Sequence, residues 1–200
     1  MARTLITNGT LISASGTSKA DVLVDGETIA ALLEPGQSTT LGIVADRVID
    51  ATGKYVLPGG VDAHTHMELP FGGTFASDTF ETGTRAAAWG GTTTIVDFVV
   101  QYPHEQVLDR YAAWQEKAAG QCAIDYGFHQ ILSDIQPSSL TAMDELIGEG
   151  VTSFKLFMAY KGVFLSDDGQ ILRAFQKGAE NGALMMMHAE NGSVIDVLVE

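Results

Sequence analysis

The 200-residue sequence has little positive charge and almost no cysteine. Eleven Lys and Arg residues stand against 25 Asp and Glu residues, which gives a formal net charge of −14. Because an acidic surface repels phosphate backbones and anionic lipid headgroups, neither nucleic acid nor a membrane surface is an expected partner. The single cysteine, Cys122, has no partner for an internal disulfide. This cysteine usage predicts a cytoplasmic protein in which Cys122 packs as a small hydrophobic residue.

Long hydrophobic runs and the common nucleotide-binding motifs are also missing. The N-terminal segment MARTLITNGTLIS has no continuous apolar stretch, so a signal peptide is not expected. No uncharged apolar run approaches the ~18 residues of a membrane span. Neither G-x-G-x-x-G nor G-x-x-x-x-G-K-[ST] occurs, and G-x-S-x-G is absent as well. These absences disfavour a phosphate-binding loop and a serine hydrolase of the nucleophile-elbow type.

The first 55 residues differ in pattern from the rest of the chain. Short β-like runs at residues 4–7, 9–12, 20–24 and 28–32 are separated by turn dipeptides such as Asn8-Gly9 and Asp25-Gly26. Asp-Gly between two such runs favours a hairpin. We predict a small antiparallel β unit over residues 1–55 and a main body over residues 56–200.

In the main body, segments typical of strands and helices alternate. Apolar runs of strand length occur at residues 55–61, 92–99, 124–131, 152–158 and 184–188, with segments of helical period between them. The repeat of roughly 30 residues is the size of a βαβ unit and predicts an α/β fold with a parallel sheet. The pattern leaves two architectures open, an open doubly wound sheet or the first part of a (β/α)8 barrel, which typically needs about 250 residues.

Histidines lie at the ends of two predicted strands. His64 and His66, in PGGVDAHTH, leave the same face of an extended strand and can bind one transition-metal ion. His188 closes the fifth strand. Because α/β folds place their sites at the carboxyl ends of strands, these side chains are expected to converge there. The alternative is that each is an ordinary polar residue of a turn or core.

Lys155 lies in the middle of the apolar strand TSFKLFM, where burial opposes its charge. It could extend its amine past a strand edge or pair with a buried acid. Burial also lowers the pKa of an amine, and a neutral amine can add carbon dioxide to become a carbamate that bridges two metal ions. Beside the histidines, we favour the carbamate interpretation.

Three other residues have weaker claims to this site. Asp62 and Asp97 lie near strand ends and could orient imidazole ligands, although capping or loop hydrogen bonds explain them equally well. His129 lies late in the third predicted strand and could touch the site or be an ordinary core residue.

Three segments carry a family resemblance: PGGVDAHTHMELPFGGT, TSFKLFMAYKG and MMMHAENG. They resemble the cyclic amidohydrolases, and among these the dihydropyrimidinase and hydantoinase group, along the whole chain. The resemblance implies a metal-dependent (β/α)8 TIM barrel, of which the first five β/α units are present, with a small N-terminal β-sandwich part. It also implies a homotetramer.

The resemblance assigns metal ligands and catalytic residues. It implies two divalent ions, with zinc expected, of which His64 and His66 bind the more buried and His188 the more exposed. Lys155 would bridge both ions as N6-carboxylysine. Tyr160 would hydrogen-bond the substrate carbonyl and, with Lys155, is the implied catalytic residue.

The same resemblance implies substrate and reaction. Leu69, Phe71 and Phe157 would lie on loops that shape the pocket for the ring substituent. A metal-activated water would open a small cyclic ureide, either a dihydropyrimidine or a 5-substituted hydantoin, to give an N-carbamoyl amino acid. Allantoinase- or dihydroorotase-type hydrolysis, or a non-catalytic barrel relative acting as an assembly module, are the alternatives.

One departure from the family pattern affects the expected activity. The family takes a further His and an Asp from later strands, and this sequence stops at Glu200, in the fifth predicted helix. We therefore expect these 200 residues to be a truncated stretch of a longer protein with weak or no activity alone.

Overall fold

The computed structural model describes residues 2–200 and divides the chain into two compact units. The first unit ends at Gly59 and the second spans Gly60–Glu200. We placed the boundary at residue 55, whereas Tyr55 and Val56 still pair with a strand of the first unit. None of the helices within residues 2–200 combines the length and apolarity that a bilayer crossing requires.

The first unit is built from seven short strands and a single-turn helix. These are β1 (Arg3–Thr7), β2 (Thr10–Ser13), β3 (Gly16–Lys19), β4 (Asp21–Asp25), β5 (Thr28–Leu33), α1 (Gln37–Thr40), β6 (Arg47–Asp50) and β7 (Tyr55–Val56). One sheet has the strand order β5-β4-β1-β6 and the other β3-β2-β7. The predicted hairpin joins β4 to β5, but β6 pairs in parallel with β1 and β7 in parallel with β2, so the unit is mixed rather than antiparallel.

The second unit alternates strands and helices. Its elements are β8 (Gly60–Thr65), β9 (Pro70–Phe71), β10 (Thr74–Phe75), α2 (Phe80–Trp89), β11 (Thr92–Val99), α3 (Val107–Ala118), β12 (Asp125–Ile131), α4 (Pro137–Gly148), β13 (Ser153–Phe157), α5 (Asp168–Asn181), β14 (Leu184–His188) and α6 (Gly192–Val199). The predicted strand at residues 55–61 is instead divided between β7 and the start of β8. Pro58 has no N–H to donate to a ladder, and the barrel strand begins only at Gly60.

The sheet of the second unit has the order β14-β13-β12-β11-β8, and its pairs are parallel. A doubly wound sheet reverses its strand order at a switch point, whereas a (β/α)8 barrel adds each strand beside the previous one. The unbroken sequential order is therefore that of the first part of a barrel. One contact shows that the sheet is also curled. The Nε2 atom of His129 on β12 lies 3.0 Å from the Ala63 oxygen on β8, although β11 lies between these two strands.

The main core lies between this sheet and the helices. Trp114 of α3 and Leu146 of α4 are fully buried in one cluster with Phe154 of β13. β13 packs into the core on both faces, since four of its five residues are buried and Lys155 is half-buried. α5 begins after Asp167, whose carboxylate accepts a hydrogen bond from Gln170 N at 2.8 Å. The helices thus pack against the outer face of the sheet.

Candidate metal centre

His64 and His66 form the first half of the site. β8 ends at Thr65, so His64 lies in the strand and His66 directly follows it. Their Nε2 atoms are 3.2 Å apart. Two nitrogens bound to one tetrahedral zinc ion at ~2.0–2.1 Å would lie about 3.3 Å apart. The pair therefore has the spacing that one shared ion requires.

The protonation states of both rings suit metal binding. Burial, followed by the charges of His64 and Lys155, lowers the pKa of His66 to about 4. Burial and then Lys155 lower the pKa of His64 as well. Both imidazoles are therefore mainly neutral at pH 7, and each keeps a nitrogen lone pair.

Lys155 of β13 is half-buried among aromatic rings. Its Nζ lies 4.6 Å from the ring centre of Phe98 and 5.0 Å from that of Phe157. Within residues 2–200 it has no carboxylate within salt-bridge distance, so the sequence-based alternative of a buried ion pair finds no support there. Burial lowers the pKa of this amine, which favours its neutral, nucleophilic form.

His188 lies beside the end of β13. The register of β13 and β14 pairs it with Phe157, whose ring stacks on the imidazole at 5.4 Å. Its Nε2 is buried and makes no hydrogen bond within the described chain. The Glu190 carboxylate lies 2.9 Å away but outside hydrogen-bond geometry. A buried nitrogen that makes no hydrogen bond is a candidate metal ligand.

Tyr160 is presented by a strained turn. Its φ of 63° is left-handed, which is unusual for a bulky residue. The turn is maintained because the Tyr160 carbonyl accepts hydrogen bonds from Val163 N at 3.0 Å and Phe164 N at 2.9 Å. The ring packs 5.2 Å from that of His188. Such strain persists where surrounding structure over-determines it, commonly at functional sites.

The eight residues that the resemblance assigns to the site line one cavity of about 280 Å³, together with two others. The lining residues are His64, His66, Leu69, Phe71, Ile131, Lys155, Phe157, Tyr160, Phe164 and His188. We expected Phe157 on a loop, but it ends β13 itself. Ile131, the last residue of β12, could have been found by the strand-end argument. Phe164 could not, because only the turn after Tyr160 stacks it on Phe157, at 5.1 Å.

The two aspartates near the histidines form hydrogen bonds to groups beside the imidazoles and not to the imidazoles themselves. Asp62 accepts a hydrogen bond from His64 N at 3.1 Å. Asp97 is fully buried and accepts from Thr65 Oγ1 at 2.9 Å and Met67 N at 2.7 Å, the residues on either side of His66. Burial raises the pKa of Asp97 to about 6 despite these hydrogen bonds.

Asp97→Asn is expected to remove a pH dependence of stability. The folded state holds the Asp97 carboxyl proton more tightly than the unfolded state does. The stabilisation of the fold that comes from binding this proton is therefore complete below pH ~4 and is lost as pH rises through ~6. The raised pKa corresponds to at most about 3 kcal/mol, and the asparagine oxygen can still accept from Thr65 and Met67. Denaturant unfolding of both proteins from pH 4 to 7.5 measures the difference. Parallel stability profiles would contradict the raised pKa.

The donor set fits metal ions held by more than one protein segment. Among residues 2–200, no three His, Cys, Asp or Glu side chains come close enough to hold one ion. The His64–His66 pair and His188 instead line different parts of the cavity that also contains Lys155. The available ligands are thus imidazole nitrogens with one amine among them, a set that suits zinc better than calcium or magnesium.

Comparison with known proteins relates this chain to the amidohydrolase family. The model of the amidohydrolase family matches residues 55–197. D-hydantoinase of Streptomyces coelicolor is 63% identical over 198 residues, which cover 99% of this chain and 42% of that protein. Dihydropyrimidinase of Rattus norvegicus is 39% identical over 197 residues, covering 96% of this chain and 37% of the relative.

A solved structure agrees with the fold. The crystal structure of dihydropyrimidinase from Brevibacillus agri matches with a TM-score of 0.92 and 48% identity, over 98% of this chain and 42% of that one. The chain thus spans about two-fifths of the length of the relatives that it matches.

Proposed function

Because the chain belongs to the amidohydrolase family, we propose that the protein hydrolyses the cyclic amide bond of dihydropyrimidines or 5-substituted hydantoins, giving N-carbamoyl amino acids. One observation carries this proposal. A single cavity combines three histidines and a half-buried lysine with Tyr160 and an apolar aromatic side. The metal ligands, the hydrogen-bond donor and the substituent pocket that such a reaction needs are therefore adjacent.

Four residues would hold two divalent ions in this proposal. His64 and His66 would bind one ion, His188 the second, and a carboxylated Lys155 would bridge them. The donor set favours zinc for these ions. When bound, they would supply an activated water and polarise the carbonyl under attack. Members of this family are typically metal-dependent.

Lys155 would become a ligand by reaction with carbon dioxide. The lone pair of its neutral Nζ attacks the carbon of CO₂, an N–C bond forms, and one amine proton leaves to solvent. The product is an anionic carbamate, whose two oxygens can each bind an ion. A bridging carbamate would suit this site, because the His64–His66 pair and His188 are too far apart to share one ion.

Tyr160 and the aromatic rings would act on the substrate. The Tyr160 hydroxyl donates a hydrogen bond to the carbonyl oxygen and stabilises the negative charge that develops there. Phe71, Phe157 and Phe164 would enclose the ring substituent and exclude water from the reacting bond.

The remaining features of the proposal concern the whole protein. We propose a closed (β/α)8 barrel with a small β-sandwich part, a homotetrameric assembly and a cytoplasmic location. The relatives named D-hydantoinase and dihydropyrimidinase support the hydrolase over an assembly module, as does the presence of all four predicted ligands in one cavity.

Metal removal tests the proposal. In the full-length protein, chelation is expected to lower the rate of ring opening by at least ~10³-fold, because the water then loses its activating charge. Added zinc should restore the rate. Chromatographic detection of the N-carbamoyl product measures it, with a chelator already saturated with zinc as control. Full activity after verified metal removal would overturn the proposal.

The substituent side of the cavity predicts a substrate preference. We expect 5-benzylhydantoin to be hydrolysed with a kcat/KM at least ~100-fold above that of hydantoin-5-acetic acid, because burying an unpaired carboxylate among aromatic rings is costly. The cavity lining within residues 2–200 includes no arginine. Unsubstituted hydantoin is the reference. Equal or faster hydrolysis of the acid would instead favour a dihydroorotase-type enzyme.

A further inference from the structure

His129 is a buried histidine that the proposed reaction does not use. It lies on β12 and is 8% exposed. Its Nε2 is 3.0 Å from the carbonyl oxygen of Ala63 on β8, and its Nδ1 is hydrogen-bonded to the hydroxyl of Ser153 on β13. One imidazole therefore connects three strands of the curled sheet.

The partners of His129 define its tautomer. The Ala63 carbonyl can only accept, so Nε2 must carry a proton and donate it. Nδ1 of the neutral ring is then an acceptor, and the Ser153 hydroxyl donates to it. Both nitrogens are occupied, which leaves no lone pair for a metal ion. His129 is thus excluded as a ligand in this arrangement, although its ring lies 4.7 Å from that of Phe98, against which His64 also packs.

The two strands that His129 joins carry or lead into three of the four predicted ligands, His64, His66 and Lys155. Ala63 directly precedes His64, and Ser153 lies two residues before Lys155, on the same face of β13. β8 and β13 are three strand intervals apart, which is ~14 Å in a flat sheet. Because the sheet is curled, the His129 imidazole reaches both strands across the inside of the sheet.

We propose that His129 is a positioning residue that sets the separation between the His64–His66 pair and Lys155 without touching metal or substrate. This inference rests on the proposed function, since the separation matters only if these residues hold ions together. A rigid ring hydrogen-bonded at both nitrogens fixes a distance that two flexible side chains would not. Substitution of residues of this kind, which orient the ligands without binding the metal, typically changes metal affinity about 10- to 100-fold.

Two substitutions separate the hydrogen bonds from the volume of the ring. His129→Phe keeps a planar ring but removes both hydrogen bonds, whereas Ser153→Ala removes only one. Thr84→Val is the matched control. The Thr84 hydroxyl is fully buried, donates to the Phe80 carbonyl and accepts from Ala123 N at 2.9 Å, and contacts neither β8 nor β13.

Zinc affinity is measured for all variants in the full-length protein at a temperature below the onset of unfolding. Tm is measured for the same proteins in a separate thermal unfolding experiment. We expect the zinc dissociation constant to rise about 10- to 100-fold in His129→Phe and less in Ser153→Ala. Thr84→Val should lower Tm without changing zinc affinity. A purely structural role would give His129→Phe the same behaviour as the control, which would overturn the proposal.

The tautomer provides a readout that needs no bound metal. Nitrogen-15 NMR of the metal-free protein should show a neutral His129 ring protonated at Nε2, and its shifts should retain that tautomer when zinc is added. A ring protonated at Nδ1, or a nitrogen that becomes zinc-bound, would overturn the inference and leave the proposed function standing. A wild-type protein that binds no zinc would overturn both.

Discussion

Lys155→Met is expected to abolish hydrolysis of cyclic ureides by the full-length protein, lowering kcat/KM by ~10³-fold or more. Methionine has a similar length and no nitrogen, so no carbamate can form and the two ions lose their shared ligand. Bound metal should fall together with activity. Metal content after gel filtration and the rate of N-carbamoyl product formation are the two measurements.

The same substitution should not lower Tm in the metal-free protein. The Lys155 amine is half-buried against Phe98 and Phe157, and burial lowers its pKa, so replacing it with an apolar group removes an unfavourable desolvation. Lys161→Met is the matched control, because Lys161 is a largely exposed lysine 3.9 Å from Asp196. A Lys155→Met protein that retains its full metal content would refute the assignment of Lys155 as a ligand.

Tyr160→Phe is expected to lower kcat by about 10²- to 10³-fold, the effect of removing one hydrogen bond to a developing oxyanion. Metal content should stay unchanged, since the phenol is not a proposed ligand. KM should change little, because the interaction strengthens only in the transition state. Steady-state kinetics with a 5-substituted hydantoin, alongside metal analysis, gives all three quantities.

Tyr126→Phe is the control for this substitution. Tyr126 lies on β12 with its ring 5.5 Å from that of Phe128 and does not line the cavity. Its loss of a hydroxyl should leave kcat unaltered. If Tyr160→Phe behaved like Tyr126→Phe, Tyr160 would have no part in stabilising the oxyanion.

The strand and helix rhythm of the second unit was predictable because it depends on local pattern. The strand at residues 92–99 and the helix at residues 168–181 lie where the sequence places them. The choice between a doubly wound sheet and a barrel was not predictable from pattern, since both use the same βαβ unit. Only the sequential strand order of the folded sheet distinguishes them.

Short polar strands were the least predictable part of the fold. β3, with the sequence GTSK, is exposed throughout and carries no apolar alternation. It forms because β2 supplies a hydrogen-bonding edge, with Thr10 paired to Lys19. Pairing of this kind is tertiary information that the segment itself does not contain.

The ligand candidates were predictable because they are polar residues within or at the ends of predicted strands. His64, His66, Lys155 and His188 are recognisable by that rule, and the structure places all four around one cavity. The surrounding residues were not, because their roles depend on contacts far apart in sequence. Asp97 accepts hydrogen bonds from the residues on either side of His66, and His129 reaches Ala63, 66 residues away.

The chemical state of the Lys155 side chain decides the central claim most directly. A crystal structure of the zinc-loaded, full-length protein, grown with bicarbonate, would show it. We predict electron density that continues from Nζ into a planar carboxyl group, with one ion beside His64 and His66 and another beside His188. Density that ends at Nζ, with no ion between these residues, would contradict the account.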